Sequence, residues 1–491
     1  MKKIRFIMVL AALLLPLGLA AQDIGLLRLD TLQRGAKGTA SLYGGFEEGG
    51  YKPAFQASSL WKAGATANGV LHGETTSWMG SFGFEQVDGK EMFTSMFLEP
   101  GYFPVDVLEF TPGDKTRQTY RLSGGFSSDV GIEGWAVGAK GSYSAANYVK
   151  RKDIRHTTYG MSLRLEPTIS YHNNGGALSF SYIFRKRTES IDAEQVGSAT
   201  DESYYAFLDK GMRYGTYQVW DGDGLHLDEA GVGVFPVKEY ANGFAYVVDW
   251  TMIGLGMEML WKHGTVGEKG YDWFRYPGFE MKLFLERKWS RQNLRVQMTL
   301  QDDQLREAVL DKVSSGGVTT PVVYGYNAVS DRTSSSLDLT YGIRFSQGCL
   351  KRLQAVLHGG LWDESSYLMY PYTDETERYN ATATLVAAFA FGRWDLGLRA
   401  NGGIGGWKEQ GLQGGTEDVL SAPYRLQYDW DRKMEYFSTP KVGAGLTLTH
   451  HLKAVEGAYL QAEGTWLHGF DVVLLPGTER WSTTMRIGYD F

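Results

Sequence analysis

Alternation of apolar and polar positions is the most regular feature of this chain. From Leu178 to Phe184, and again from Leu294 to Leu300, every second residue is large and apolar. A period of two places these residues on one face of a β-strand and the intervening residues on the other. Similar runs recur along the chain, each about long enough to cross a bilayer at the tilt of a barrel strand. The pattern predicts an all-β protein, a transmembrane antiparallel barrel with a polar lumen.

The C-terminal segment 481–491 carries the same alternation to the last residue. Small or polar residues separate its large ones, which are Trp481, Met485, Ile487, Tyr489 and Phe491. We interpret this segment as the strand that closes the barrel. A C-terminal aromatic residue resembles the signal that the barrel-assembly machinery reads, so these five residues are the predicted assembly signal.

The N-terminal segment 1–21 reads as an export signal. Lys2, Lys3 and Arg5 precede an apolar run, and Ala20 and Ala21 then lead into polar residues. This is the order of a signal peptide, which is cleaved and takes no part in the fold. Cleavage after Ala20 and cleavage after Ala21 both fit the sequence.

Domain boundaries follow from these two ends. Residues 22–55 are predicted to form an N-terminal arm that is either a first strand or a plug. Residues 56–491 are predicted to form an outer-membrane barrel. The predicted location is therefore the cell outer membrane, with its lipid as one partner.

Composition excludes several other classes of protein. After residue 21, no uncharged apolar run approaches the roughly 18 residues of a membrane helix. The formal net charge is −7, and removal of Lys2, Lys3 and Arg5 makes it about −10, which gives no reason to expect nucleic acid as a partner. The single cysteine, Cys349, cannot form an intrachain disulfide. Fold stability is therefore expected to come from barrel closure.

Link lengths predict the number of strands. Outer-membrane barrels have short periplasmic turns and long extracellular loops, so short and long links should alternate. They do so over 335–491 and 76–188; between these blocks the alternation requires two strands within 244–263 or one strand at 212–220. With a first strand near 39–46 the barrel has 18 strands. It has 16 if the first segments form a plug or a periplasmic arm.

Prolines give an independent test of the strand assignment, because proline cannot donate a hydrogen bond to a sheet ladder. Pro112, Pro236 and Pro321 fall in segments predicted to be loops, whereas Pro167 falls inside a predicted strand. We expect Pro167 to mark a bulge, or the strand to end near Leu165.

The segment Arg151–His156, which follows Tyr143–Tyr148, carries a family resemblance. With it, the chain resembles a family of uncharacterised outer-membrane β-barrels of about this length in Gram-negative bacteria. The resemblance implies architecture and location, and it suggests an accessory or uptake role beside nutrient receptors. A TonB-dependent receptor needs a plug domain and 22 strands, which 491 residues cannot hold.

Two groups of residues are candidate contacts at the outer surface. Arg151, Lys152 and Arg155 fall in a predicted outer link, where cations could bind lipopolysaccharide phosphates; a solvated loop tip fits them equally. Tyr424 and Trp430 belong to an aromatic-rich predicted loop that could contact a glycan or a surface protein. Aromatic residues also form membrane girdles or pack within loops, and this second interpretation is favoured.

The sequence gives no candidate catalytic, cofactor or metal site. The acidic stretch 220–229 departs from an EF-hand loop, because Leu225 and His226 stand where a ligand and a glycine are needed. Histidine lies close to aspartate in the sequence at a few places, as in a catalytic triad or dyad, but no nucleophile motif accompanies these pairs. We therefore expect no enzymatic activity, no cofactor and no bound metal.

Two functional hypotheses remain. The first is a channel or uptake barrel for a small or amphiphilic solute, with a TonB-dependent receptor or surface lipoprotein as a candidate partner. The second is a non-conducting structural or binding barrel whose outer loops dock a surface protein or glycan. The two differ in what fills the lumen, and the segment 188–243 is long enough to fold inward.

Overall fold

The computed structural model describes residues 35–152, 154–194, 205–219, 234–267, 272–315, 318–368, 373–410 and 425–491. No helix in these ranges is long and apolar enough to cross a bilayer. They form one antiparallel sheet of 20 strands and the helix α1, Arg425–Ser438. The strands are β1 Gly35–Gly49, β2 Ser59–His72, β3 Thr76–Ser95, β4 Asp106–Asp129, β5 Trp135–Lys150, β6 Arg155–Asn173, β7 Gly176–Glu194, β8 Tyr205–Asp209, β9 Gly215–Val219, β10 Val234–Trp250, β11 Ile253–Gly267, β12 Asp272–Lys288, β13 Gln292–Ser315, β14 Val318–Arg344, β15 Leu350–Ser366, β16 Asp374–Phe391, β17 Trp394–Gln410, β18 Lys441–His451, β19 Ala458–Gly469 and β20 Glu479–Asp490.

The sheet closes into a barrel whose wall has 18 strands. Neighbouring wall strands pair in chain order, except that β7 pairs directly with β10. The short strands β8 and β9 form a hairpin outside this order. Closure comes from β1, which pairs with β2 on one side and with β20 on the other. The predicted fold class is thus confirmed, and the region 244–263 contributes to two wall strands, β10 and β11.

The two ends of the barrel differ in their connections. Short turns link β2 to β3, β6 to β7, β10 to β11 and β16 to β17 at the end where β1 begins and β20 finishes. The longest connections lie at the opposite end, including the one between β17 and β18 that contains α1, although β5–β6, β11–β12 and β13–β14 are joined there by four residues or fewer. Short turns face the periplasm in barrels of this type. The opposite end is called the outer end below.

The first strand lies in the segment for which the sequence allowed either a strand or a plug. Residues 35–49 form β1, and Thr39–Gly49 pair with β20. The following link turns inward, because Tyr51 and Lys52 are buried. The signal-peptide prediction for residues 1–21 lies outside the described residues.

Strand β11 illustrates the two faces of the wall. Leu255 and Trp261 are exposed on the outer surface, whereas Glu258 and Lys262 are buried on the lumen side. Exposed large apolar residues of this kind occur on strands all around the barrel. A lipid-facing surface requires such a belt, since charged groups there are costly. The period-two pattern therefore corresponds to lipid contact outside and polar packing inside.

The proline prediction is partly wrong. Pro112, Pro236 and Pro321 lie inside β4, β10 and β14, because these strands continue beyond the length that crosses a bilayer. Pro167 lies within β6, which continues to Asn173. The β6–β7 ladder skips Pro167 without a shift of register, so this proline marks neither a bulge nor a strand end.

The predicted closing strand is β20. Its large residues Trp481, Met485, Ile487 and Tyr489 are exposed on one face, as is Phe491 beyond the strand. The backbone of Phe491 exchanges two hydrogen bonds with Gly38, at 2.8 and 2.9 Å, so the C-terminus is fixed to β1. Recognition of these residues by the assembly machinery stays a prediction.

Glycines opposite aromatic residues recur in the wall. In each pair the ring covers the backbone of the glycine directly across the ladder, where a Cβ atom would collide with it. The pairs are Tyr43 with Gly64, Phe284 with Gly256, Tyr276 with Gly264, Tyr379 with Gly406, and Tyr459 with Gly488. Aromatic cover of this kind restores packing that a glycine strand position lacks.

We expect Gly256→Val to destabilise the barrel by about 1–3 kcal/mol, because the new side chain must displace the buried ring of Phe284. Reversible urea unfolding in detergent micelles measures the effect. Gly325→Val is the matched control, since nothing lies within 4 Å of a Cβ atom at that position of β14. Equal stabilities of the two variants would contradict the expectation.

Candidate functional site

Besides the inward-turning link 50–58 between β1 and β2, three segments occupy the barrel interior at the outer end. They are the link Met96–Val105, the hairpin of β8 and β9, and helix α1. We call them together the outer plug. Each carries fully buried side chains: Phe97 in the link, Phe207 in the hairpin and Met434 in the helix.

The link Met96–Val105 is held by apolar packing. Met96, Phe97, Phe103 and Val105 are at most 4% exposed and join a core cluster with residues from several wall strands. The wall side of this cluster includes Phe235, Val237, Val266, Trp273, Phe274, Tyr276, Leu305 and Val329. Burying each large apolar side chain contributes about 1.5–3 kcal/mol. The link is therefore a packed part of the barrel core.

Polar contacts fix the same link to the wall. The Arg332 guanidinium donates to the backbone carbonyls of Gly101, Tyr102 and Phe103 at 2.7, 2.6 and 2.9 Å, and to Asp303 at 3.0 Å. One arginine thus satisfies three successive carbonyl groups that strand pairing does not reach. Its charge is balanced by a carboxylate that is 1% exposed.

Tyr102 provides a second polar anchor. Its hydroxyl donates to Glu239 at 2.9 Å, and the Arg187 guanidinium lies 3.7 Å from its ring centroid. Glu239 also accepts from Arg185, which forms two hydrogen bonds of 2.9 Å with Glu280. Burial and the neighbouring Glu239 carboxylate raise the pKa of the Tyr102 hydroxyl, so it stays a donor. The lumen charges therefore form a network that holds the link.

The hairpin of β8 and β9 is attached to the inward start of β4. Residues Asp106–Glu109 pair antiparallel with Ala206–Asp209. The hairpin turn places two non-glycine residues in the left-handed region, Met212 at φ 53° and Arg213 at φ 66°. That conformation costs roughly 1–2 kcal/mol for each residue. Such strain persists only where the surroundings fix it, and it is typical of functional sites.

Arg213 shows what fixes the strained turn. Its side chain is 2% exposed, pairs with Glu409 on the wall and donates to Gln427 of α1 at 2.9 Å. The guanidinium also lies 4.8 Å from the ring centroid of Trp430. The turn therefore connects the wall, the hairpin and the helix.

Helix α1 was predicted to be an aromatic loop, and that prediction is wrong. Leu426, Trp430 and Met434 follow one another at four-residue spacing, so they lie on one helix face, and all three are buried. Thr439 and Pro440 follow the helix, and Pro440 lacks a backbone donor. The Glu435 carboxylate fastens the helix to the last outer link by accepting from the backbone amides of residues 473–475.

A cavity of about 230 Å³ lies between the three parts of the outer plug and the wall. Aromatic and apolar residues line much of it, including Phe55, Phe103, Trp362, Trp430 and Phe437. Charged residues of both signs line the rest: Asp106, Asp209, Glu364, Asp429, Arg213, Arg332, Arg378 and Lys433. A concave, mostly apolar space with convergent polar groups is the usual form of a small-molecule site. This cavity is the candidate functional site.

Burial shifts the pKa of at least three residues that line the cavity, and it raises that of Asp106 to about 6. It raises the pKa of Asp209 to about 7, and the nearby carboxylate of Glu364 adds to the effect. It also lowers the pKa of Lys433, and the Arg378 cation beside it lowers it further. Perturbed groups that face a cavity mark candidate sites when geometry supports them.

We expect the hairpin to be held more firmly in acid than in base. The pKa of Asp209 rises from 3.8 to about 7 on folding, so the cost of burying its charge is absent below about pH 4 and complete above about pH 7. Asp106, Glu364 and Lys433 are the charged groups that face it. Protection factors of residues 205–219, which are corrected for the intrinsic pH dependence of amide exchange, should be higher at pH 5 than at pH 8. Asp209→Asn should reduce this difference, and Asp106, whose pKa burial raises to about 6, accounts for the remainder. An unchanged difference in that variant would assign the whole effect to another group.

A second cavity, of about 300 Å³, lies on β12 to β15, towards the periplasmic end. Its lining is mainly polar and includes Gln297, Asp338, Thr340, Arg352 and Gln354. The polar lining contrasts with the apolar cluster that packs the outer end.

The candidate surface contacts have different positions. Arg151 and Lys152 are exposed in the outer turn between β5 and β6, and Lys152 donates to the carbonyl of Pro112 at 3.0 Å. Arg155 begins β6. Trp430 is 7% exposed and faces the cavity, so it belongs to the interior and not to an outer contact surface. Tyr424 lies outside the described residues.

The described part of the chain contains no group of three or more histidine, cysteine, aspartate or glutamate side chains placed to hold a metal ion. The acidic stretch 220–229 lies outside that part. The expectation of no metal, no cofactor and no enzymatic activity therefore stays a prediction.

Comparison with known sequences places the chain in a family. Residues 27–491 match the sequence model of a protein family that is described as "Family of unknown function (DUF6850)". The chain belongs to this family. The match confirms the resemblance indicated by Arg151–His156. DUF6850 membership covers the whole described barrel and assigns no activity. The curated proteins contain no match to the chain.

Solved structures that are similar to this DUF6850 barrel have low sequence identity. The FrpB iron transporter from Neisseria meningitidis (F3-3 variant) has a TM-score of 0.40 and 8% identity, over 97% of this chain and 86% of that one. The copper transporter OprC has a TM-score of 0.38 and 7% identity, over 94% and 81%.

Proposed function

We propose that this chain is an outer-membrane uptake barrel that the outer plug closes and that opens for a small solute. The observation that carries the proposal is the outer plug itself. A barrel with this many strands has an interior wider than its own wall side chains fill, so it is open unless other segments enter it. Here three separate segments enter, and the strained turn at Met212 and Arg213 connects two of them, the hairpin and the helix, to the wall.

The character of the plug contacts supports a gate. Arg332, Arg213 and Lys210 hold the plug through ion pairs and hydrogen bonds, with Lys210 2.6 Å from Glu307. Such contacts are exchangeable when the gate opens, because hydrogen bonds to water or to a ligand can replace the intramolecular ones.

The proposed partners follow from the surface. The apolar belt contacts outer-membrane lipid, and Arg151 and Lys152 stand at the outer end, where lipopolysaccharide phosphates lie. The exposed residues of β20 would be read by the assembly machinery. A TonB-dependent receptor or surface lipoprotein is the proposed neighbour that passes solute to the barrel. The proposal includes no catalytic step.

Planar-bilayer recordings of the purified, heat-modifiable protein test the proposal. A gated barrel should be closed most of the time, with brief openings whose amplitude scales with salt. Large, permanent openings would identify an open diffusion pore instead. If both the wild type and a variant lacking part of the plug are silent, the barrel is a docking scaffold.

A further inference from the structure

Two cations in the cavity of the outer plug have no hydrogen-bond acceptor among the described residues. The Arg378 guanidinium lies 4.0 Å from the ring centroid of Phe437 and 4.7 Å from that of Trp362. The Lys433 ammonium lies 5.1 Å from the ring centroid of Trp430. Aromatic faces attract both cations but accept no strong hydrogen bond from them. The carboxylates of Glu364, Asp209 and Asp106 lie near Lys433, and that of Glu364 lies near Arg378, but no hydrogen bond joins either cation to a described residue, so a ligand can accept from both.

Carboxylate oxygens in the same cavity are also available. Asp106 Oδ1 accepts from Ser95 at 2.8 Å, Asp209 Oδ1 accepts from the amide of Gly211 at 2.9 Å, and Glu364 Oε1 accepts from the amide of Met212 at 3.2 Å. In each case the second carboxylate oxygen has no such partner in the described residues. The cavity thus offers unused donors and unused acceptors together.

We propose that this cavity binds a small zwitterionic solute of amino-acid size, with its carboxylate on Arg378 and Lys433 and its ammonium group on Asp209 and Asp106. The inference rests on the proposed function and names the substrate class of the uptake barrel. Buried charges are stabilised only when they are paired, and a zwitterion pairs both signs without adding net charge.

Cavity size and lining set the limits on this solute. A space of about 230 Å³ is smaller than the roughly 300–1,000 Å³ of sites for drug-sized ligands. Phe103, Leu108 and Leu426 line the cavity and offer an apolar surface for a side chain. The site therefore fits one amino acid with an apolar side chain.

Three probes that differ only in charge test the inference on the full-length barrel in detergent. They are leucine, leucinamide, which lacks the carboxylate, and N-acetyl-leucine, which lacks the ammonium group. Quenching of tryptophan fluorescence reports binding, because Trp362 and Trp430 line the cavity. Leucine should bind roughly tenfold or more tightly than either blocked form, since each loses a charge-assisted hydrogen bond. Preference for one blocked form, or binding of none, would overturn the inference.

Variants test separately the cationic side of the cavity, which binds the carboxylate, and the acidic side, which binds the ammonium group. Arg378→Gln should weaken leucine binding roughly tenfold or more and should leave leucinamide binding unchanged. Asp209→Asn should instead weaken leucinamide and leave N-acetyl-leucine unchanged. Lys453→Met, in the exposed turn between β18 and β19, is the control and should alter none of them. Equal losses for all three probes would indicate a structural effect and would contradict the assignment.

Failure of this inference can be distinguished from failure of the proposed function. Binding is measured on the closed wild-type barrel, whereas gating is measured by conductance after part of the plug is removed. If the barrel conducts after plug removal but the wild type binds none of the three probes, the protein is a gated channel for another class of solute. In that case the inference fails and the proposed function stands.

Discussion

Removal of residues 195–233, with a short Gly-Ser link between β7 and β10, should convert the closed barrel into a conducting one. The link is short because Asp192 of β7 pairs directly with Val234 of β10, so the two wall strands already meet at the cut. The deleted segment includes the whole β8–β9 hairpin. The deletion eliminates the contacts of Arg213 with Glu409 and Gln427. The deletion also removes β8, the strand that pairs with Asp106–Glu109.

The expected result is a stable conductance several-fold above that of the wild type, scaling with salt, in a barrel that keeps its heat-modifiable mobility. Its physical reason is that an 18-strand wall is self-supporting, whereas its interior must be filled by other segments. Planar-bilayer recording measures the change.

A trimmed β13–β14 hairpin is the matched control. Lys312 pairs with Pro321 near its tip, so replacing 312–321 by a two-residue turn shortens an outer connection without touching the plug. That variant should conduct as the wild type does. If the plug deletion conducts no more than this control, the hairpin is not part of a gate.

The wall of the barrel could be predicted from the sequence because lipid and lumen impose opposite demands on alternate residues. The run Leu178–Phe184 shows this directly, since Leu178, Phe180 and Tyr182 are exposed on the outside while Ser179 and Ser181 are buried within. The position of a residue within its own strand determines whether it faces lipid or lumen. Local periodicity is therefore sufficient to predict its environment.

The parts of strands beyond the bilayer could not be predicted in the same way. Strand β13 continues from Leu300 to Ser315, and this extension includes Gln301, Asp302 and Asp303 in succession. Outside the membrane neither face meets lipid, so the alternation disappears while the hydrogen-bonded ladder continues. Loop lengths were therefore overestimated at the outer end.

The outer plug was only partly predictable. The length of segment 188–243 was recognised as sufficient for it to fold inward, and its hairpin does so. The link Met96–Val105 contains Pro100, Gly101 and Pro104 and reads as an exposed loop, and its burial depends on wall residues far away in sequence. In α1, the four-residue spacing of Leu426, Trp430 and Met434 was a signal that could have identified the helix.

The cavity itself lies beyond sequence reasoning. Asp209, Glu364, Arg378 and Lys433 come from the hairpin, two wall strands and the helix. None lies in a motif, and each is unremarkable among its neighbours in the chain. Only the closure of the barrel and the entry of the plug bring them together, so no local pattern records their proximity.

Arg332→Met should release the link Met96–Val105 while leaving the wall intact. Methionine fills part of the volume but donates no hydrogen bonds, so the carbonyls of residues 101–103 lose their donor. Removing one member of a buried charged pair costs about 3–5 kcal/mol. Asp303 keeps its 2.5 Å contact with Lys262, which places the expected cost near the lower end of that range.

Hydrogen exchange and limited proteolysis of residues 96–105 measure this release. Both should increase strongly in the variant, whereas exchange of the β1–β20 ladder should stay as in the wild type. Arg332→Lys should have an intermediate effect, because one ammonium group cannot serve three carbonyls and a carboxylate as a guanidinium does. Arg399→Met, at an exposed arginine of β17, is the matched control. Unchanged protection in Arg332→Met would show that apolar packing and the Tyr102 anchor are sufficient to hold the link, and the gate would then have to open through the hairpin.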